Sequence, residues 1–396
     1  MKIELKELIN IEEVLKAIST LPDYRRVEKK IEYNHRDIIF SVLCSIFLGK
    51  KSMVEMHEWI EVNLNEAYFK KLINQENKEL KIPSYPTVRR MIINIDSNKM
   101  EEIFRDYFIP RAKIDKESQI ASDGKVLNGS GRKGQYDVKR NLGMLNMVDT
   151  KSRIILAHRA IGSKESEIPA FQEMLKVKFS DEPFLHTFDA MNTQEDSLNA
   201  VHNDGKRYLA KVKGNQGNLQ KQTIEVFEEE YKREKNSIRS SKDKRVSLEG
   251  NKWVRRETFV LSSQSCNLLM YNKKFNHVKS IIKQVKYTDD GSGKEKIKKN
   301  YLIANFEETP SYFKKSIKDH WICETYHYYK DMLTCEDDSK LSVNPFGLSI
   351  LMSFVINALQ LYLNVHKPMN KKLTMTKVYR SCQNNRDFFG KFDNSV

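Results

Sequence analysis

Cysteine is scarce and unpatterned in this chain of 396 residues. The five present, Cys44, Cys266, Cys323, Cys335 and Cys382, are odd in number, scattered, and form no CxxC pair. That argues against a disulfide framework and a zinc ribbon, and it fits a reducing cytoplasm. No secretory leader is expected either, since Met1-Lys-Ile-Glu-Leu-Lys carries charge where a signal peptide needs an apolar core. No internal repeat or long low-complexity tract is present. Acidic residues are in deficit, 53 Asp plus Glu against 68 Lys plus Arg, and the net +15 favours a polyanionic partner. Nucleic acid is favoured over an acidic membrane surface. Residues 347–365 do lack charge over 19 positions, near the length of a membrane span. Ser349, Ser353, Asn357, Gln360 and Asn364 interrupt the run, it has no aromatic belt, and it stands alone. A buried C-terminal helix is the expectation, with no membrane.

What is present supports real cores: 39% of residues are apolar and 10% aromatic, and the length allows two or three domains. Residues 1–112 read as helical. Residues 11–21 are periodic and end at a basic turn, Pro22-Asp23-Tyr24-Arg25-Arg26. Residues 38–48 stop at Gly49 as a glycine-capped helix does. Ser52 is the expected cap of the next helix, and Thr87 that of a helix carrying Arg89 and Arg90. Short helices with basic turns suit a DNA-binding domain, and a plain bundle fits the same pattern.

From residue 113 the texture changes. Residues 118–127, 142–148 and 154–161 are strand-like, followed by alternating helices and strands through 207–213 and a charged helix at 219–234. A basic loop with Gly129, Gly131 and Gly134 follows the first strand; it lacks the closing signature of a P-loop. Residues 232–256 hold ten basic and three acidic residues, a plausible phosphate track. Strand-like segments at 253–261, 277–287 and 300–305 follow, with Asp289-Asp290-Gly291 as a hairpin signal. Residues 311–333 read as one helix. The expected units are 1–112, a core in 113–234, a basic β-rich insertion in 235–308, and a C-terminal helical part of the core in 309–396. The expected class is a mixed α/β sheet covered on both faces.

Three acids stand out. Ser118-Gln-Ile-Ala-Ser-Asp123-Gly-Lys125 is an apolar strand that delivers a carboxylate to its end, although Asp-Gly is also a common turn dipeptide. Phe184-Leu-His-Thr-Phe-Asp189 repeats the design. Glu324 lies on a helix whose His320, Trp321, His327, Tyr328 and Asp331 recur at three- and four-residue steps and share its face. A structural Glu–His pair is the bland reading of that face. Two oxygen-ligated cations about 3.5–4 Å apart activate a water or a 3′-hydroxyl and stabilise both oxygens at a phosphorus, provided one carboxylate bridges them. Asp123 suits the bridge, Asp189 and Glu324 one ion each. Oxygen donors favour Mg²⁺, with Mn²⁺ as substitute. Zinc on His320 and His327 is the rival.

Further pieces accompany these acids: Leu21-Pro22-Asp23-Tyr-Arg25, Ile82-Pro-Ser-Tyr-Pro-Thr87, Asp123-Gly-Lys125, Ser163-Lys-Glu-Ser-Glu167-Ile-Pro-Ala170, Asp189-Ala-Met191, Lys213-Gly-Asn-Gln216, His320-Trp-Ile-Cys-Glu324 and Glu336-Asp337. In this order the chain resembles DDE transposases of bacterial insertion sequences, of the H-repeat-associated (ISAs) group. The resemblance implies a ribonuclease-H-like core with a β insertion before the last acid, and Asp123, Asp189 and Glu324 as the triad. It also implies DNA contact by residues 211–216 and by the Glu324 helix. Lys125, Lys211, Lys213 and Lys318 are then candidates to neutralise phosphates. Asn215, Gln216, His320, Trp321 and His327 are candidates at transposon ends. The chain departs from the pattern at Lys318, where arginine is usual, at Thr325, where asparagine is usual, and at a shortened His327-Tyr328. Lysine there keeps the charge but loses the bidentate fork. The expected activity is strand cleavage at element ends and transfer into target DNA, by a homodimer associated with the nucleoid when bound. The alternatives are an inactive DNA-binding derivative and a stand-alone Mg²⁺-dependent nuclease.

Overall fold

The first acid-bearing strand has a paired neighbour on each side. The computed structural model describes residues 2–25, 32–130, 142–161, 167–233, 238–243, 246–262, 275–292, 294–339, 341 and 343–390. The basic glycine loop from Gly131 onward, Arg26, residues 163–166 of the quoted motif, and parts of the 232–256 track lie outside these.

Strand β1 (Gln119–Val126) is buried through Ser122 and opens toward solvent from Asp123. It forms an antiparallel meander with β2 (Gly143–Asp149) and β3 (Ile155–Ile161). The Asp149 carboxylate closes the β2–β3 turn by accepting from the Ser152 amide at 2.7 Å. On its other side β1 pairs in parallel with β4 (Leu185–Phe188), which pairs in parallel with β5 (Arg207–Val212). Parallel neighbours need crossovers. Helix Glu195–Asn203 joins β4 to β5, and helix Glu167–Met174 precedes β4.

The chain continues through helix Gly217–Arg233 into β6 (Arg239–Lys242), β7 (Ser247–Glu249), β8 (Lys252–Ser262), β9 (Ser280–Asp289) and β10 (Lys296–Ala304). These strands do not make a sheet of their own. β10 lies antiparallel to β5, so one ten-stranded mixed sheet runs β3-β2-β1-β4-β5-β10-β9-β8-β6, with β7 beside β8. The expected hairpin at Asp289-Asp290-Gly291 is present, with Gly291 at φ +87°.

Two local expectations are corrected. Ser84, not Thr87, occupies the cap position of helix Tyr85–Ile93, because Pro86 fits the first turn, where its missing N–H has no partner to lose. The helix expected over 311–333 is two, Pro310–Asp319 and Ile322–Thr334. At the break the bonds tighten to i→i−3, Trp321 N to Lys318 O and Cys323 N to His320 O. The His320 ring is held there by Thr187, with Nδ1 and Oγ1 3.0 Å apart. Ser52 does cap helix Met53–Asn63, and Gly49 at φ +81° follows helix His35–Phe47.

The uncharged C-terminal run forms helix Pro345–His366, long and apolar enough by composition to cross a membrane, yet 89% of its most apolar window is buried inside the fold. Its polar residues each find a protein partner. Ser353 meets the Tyr326 hydroxyl at 2.7 Å, and the Asn364 amide donates to Ser152 O at 2.7 Å. The fully buried Asn357 accepts from the Ile155 amide and donates to the Ile155 carbonyl, both at 2.9 Å. β3 is an edge strand, so Asn357 closes backbone groups that would otherwise be open. The helix also packs on Ser97–Ala112, His35–Phe47 and Tyr85–Ile93, which puts the N-terminal helices and β3 in one core.

Candidate active site

Register brings two of the acids together. β1 and β4 run parallel with Ser122 opposite Phe188, so the residue after each is an aspartate, Asp123 in β1 and Asp189 just past the end of β4. Side chains alternate across a strand, which places Ala121, Asp123 and Lys125 on one face of β1 and Ser122 and Gly124 on the other. Helix Ile322–Thr334 covers the Asp123 face, anchored where the Cys323 thiol donates to the Ala121 carbonyl at 3.2 Å. Glu324, one residue on, is exposed and lines the same cleft of about 220 Å³ as Asp123 and Asp189. Lys211 and Lys213 from the end of β5, and His320 and Trp321 from the helix break, line it too.

The electrostatics follow from this packing. Burial, then the Asp189, Glu167 and Glu324 carboxylates, push the Asp123 carboxyl up to about 7. Burial and the Lys213 and Lys298 charges pull the Lys211 ammonium down, against Asp189. Burial holds the His320 imidazole at about 4, so it is neutral near pH 7. The His327 imidazole is held at about 3 by burial, then by Lys125 and Lys330. Asn146, opposite Asp123 on β2, donates to His327 Nε2 at 3.0 Å. With Nε2 accepting, the neutral ring carries its proton on Nδ1, 3.8 Å from Asp123 Oδ2.

The remaining expected residues stand elsewhere. Lys125, expected at a phosphate, is mostly buried and committed to Glu336 and Asp337, each at 3.0 Å. Asn215 and Gln216 both donate to the Ala190 carbonyl, at 2.7 and 2.8 Å, and so brace the loop after Asp189. Lys318 is exposed and outside the cleft lining. His327 sits behind Asp123. Sequence reasoning missed Gln284 and Asn300, a facing pair on β9 and β10 that joins the cleft wall. It also passed over Glu167, although Gly124 was its signal: a side chain at 124 would meet the Glu167 carboxylate at 2.8 Å.

The donor set is three carboxylates on one cleft, hard oxygen ligands whose mutual repulsion a divalent cation would relieve. Among the described residues no three His, Cys, Asp or Glu side chains are already drawn close enough to form a closed metal cluster. The residues fit oxygen-ligated cations in kind. The zinc alternative gains nothing, since the His320 ring is taken up by Thr187 and the His327 ring by Asn146.

Comparison with known proteins bears on this arrangement. Residues 15–108 match the family described as DDE_Tnp_1-associated. The "Putative transposase YncI" of Escherichia coli O157:H7 is 26% identical over 84% of this chain and 83% of its own length. The "H repeat-associated putative transposase YhhI" of Escherichia coli K12 is 25% identical over 84% of this chain and 86% of its own. Among solved structures, a piggyBac transposase synaptic complex with hairpin DNA aligns at a TM-score of 0.45 and 14% identity, over 94% of this chain and 76% of that one, too loosely to argue from. Over most of its length the chain is thus similar to H-repeat-associated putative transposases, and residues 15–108 match a family associated with DDE transposases.

Proposed function

We propose that the protein cleaves DNA at the ends of its insertion sequence and transfers the freed strands into target DNA, using Asp123, Asp189 and Glu324. The observation that carries this is the convergence of the three acids on one lysine-lined cleft, with Asp123 raised to about 7 by burial and like charge. The strand order β3-β2-β1-β4-β5, three antiparallel and then two parallel, supports reading the core as ribonuclease-H-like. Asp123, fixed by strand pairing, Asp189, just past the end of β4, and Glu324, brought to the cleft by its helix, would hold Mg²⁺ or Mn²⁺. When bound, such cations polarise a phosphodiester and activate an attacking water or 3′-hydroxyl.

The chain's own residues do the rest. Lys211 and Lys213 neutralise phosphate in the cleft, and the exposed Trp321 offers a flat apolar surface at its rim. Asn215 and Gln216 act by bracing the Asp189 loop rather than by reaching DNA. His327, neutral and held by Asn146, keeps its Nδ1 face 3.8 Å from the Asp123 carboxylate. DNA is the partner, in keeping with the net +15. Residues 1–112 would be its helical binding domain, residues 235–308 a basic extension of the catalytic sheet, and a homodimer would hold two ends together.

The test is incubation with labelled element ends and Mg²⁺, comparing wild type with Asp123→Asn, Asp189→Asn and Glu324→Gln. Nicking and strand transfer by wild type, lost in all three, is expected. Salt-sensitive DNA binding without cleavage by any of the four would instead identify an inactive derivative.

A further inference from the structure

We propose that Glu167 is a fourth carboxylate of the acid site, taking the same divalent cation as Asp123 and Asp189 from the Gly124 face of β1. This rests on the cation-dependent reading of the site and adds a ligand to it.

Glu167 opens helix Glu167–Met174, where the unpaired amides of the first turn favour a negative charge. Its carboxylate lies against the backbone of β1, so close that Oε2 stands 2.8 Å from where a Cβ on Gly124 would be. Only glycine at 124 admits that approach without displacing the carboxylate. A second clamp comes from the other acid-bearing strand. The Asn192 amide, three residues past Asp189, donates to Glu167 Oε1 at 2.8 Å. Asn192 is 1% exposed, and its own Oδ1 has no hydrogen-bond partner among the described residues, an acceptor left open beside the carboxylate. Glu167 is therefore held to the segments that carry both aspartates.

Among the described residues, the charged neighbour that acts on Glu167 is Asp189, of like sign. The influence of Glu167 on Asp123 exceeds that of Glu324. Gathering partly buried carboxylates is costly, and a cation between them removes the cost. A purely structural Glu167 would need only the Asn192 contact, which glutamine supplies equally well. That difference makes the idea testable.

The experiment is titration of the full-length, metal-free protein with MnCl₂, followed by calorimetry and by loss of the free-Mn²⁺ electron paramagnetic resonance signal. Glu167→Gln keeps the shape, and Glu167→Asp withdraws the charge by one methylene. Glu173→Gln, on the exposed side of the same helix, is the control. We expect both Glu167 variants to bind Mn²⁺ at least about tenfold more weakly, and the control to match wild type. Mn²⁺ affinity unchanged in both Glu167 variants but lost in Asp123→Asn would overturn the role of Glu167 and leave the acid site standing. No Mn²⁺ binding by wild type would overturn both.

Discussion

Glu336 is the residue whose removal should do most damage away from the cleft. It is 4% exposed, and its Oε1 lies 2.6 Å from Lys330 Nζ, its Oε2 3.0 Å from Lys125 Nζ. Ser349 on the long helix donates to Oε1 and accepts from Lys330 at 2.6 Å. Lys330 itself is 1% exposed. Burial pushes the Glu336 carboxyl up, but the two ammonium groups and Ser349 outweigh it and hold the group at about 2. Glu336→Gln would leave Lys330 buried beside a neutral amide, and breaking such a pair from one side costs about 3–5 kcal/mol. The measurement is urea unfolding at pH 7 followed by circular dichroism, where we expect the first transition to move down by about 1 M or more. The Lys330→Met, Glu336→Leu double variant should recover much of the loss, since neither buried charge remains. The sign with pH follows. A carboxyl held below its ordinary range stabilises the fold above that range, and the contribution fades as pH falls from the ordinary glutamate value toward 2. A loss under about 1 kcal/mol for Glu336→Gln would refute the reasoning.

Asp123 should behave in the opposite sense. Its folded pKa of about 7 lies above the ordinary value, so without cation the fold loses stability as pH rises toward and through 7. Thermal melts should accordingly show Mn²⁺ stabilising the protein more at pH 8 than at pH 6, and Asp123→Asn abolishing that difference. Asn357→Ala should cost about 2–4 kcal/mol, because it strands the buried Ile155 amide and carbonyl together; urea midpoints measure it, and a near-neutral result would mean that water fills the gap. Gly124→Ala should leave stability within about 1 kcal/mol, since the atom in its way is the far end of the Glu167 side chain; a large fall in melting temperature would show that the carboxylate cannot swing aside.

The sequence made some of this legible because the signals are local. An apolar run ending in an acid announces a strand that delivers a carboxylate, and both β1 and β4 were readable that way. Gly49 and Ser52 announced helix ends by their own backbone and side-chain chemistry. What stayed hidden depends on partners remote in the chain. That strands β6 to β10 extend the acid-bearing sheet is decided by β10 pairing with β5, which no periodicity reports. The break at His320 depends on a hydroxyl 133 residues earlier. Lys125 looked like a phosphate ligand because Glu336 lies 211 residues further on. Glu167 belonged to a motif already noticed, but its closeness to Gly124 exists only once β1 and the helix after β3 have met.

Helix Pro345–His366 has a consequence for how the molecule is made. It is synthesised after every strand of the sheet, yet it is the wedge that helices His35–Phe47, Tyr85–Ile93 and Ser97–Ala112 and strand β3 close around. Until it leaves the ribosome those partners keep greasy faces turned to water, a long wait of the sort that slows folding and invites clumping. A chain terminated at residue 344 should therefore bind hydrophobic dyes and sediment as aggregates; if it stays monomeric and dye-silent, the first helices are self-sufficient and the wedge is dispensable.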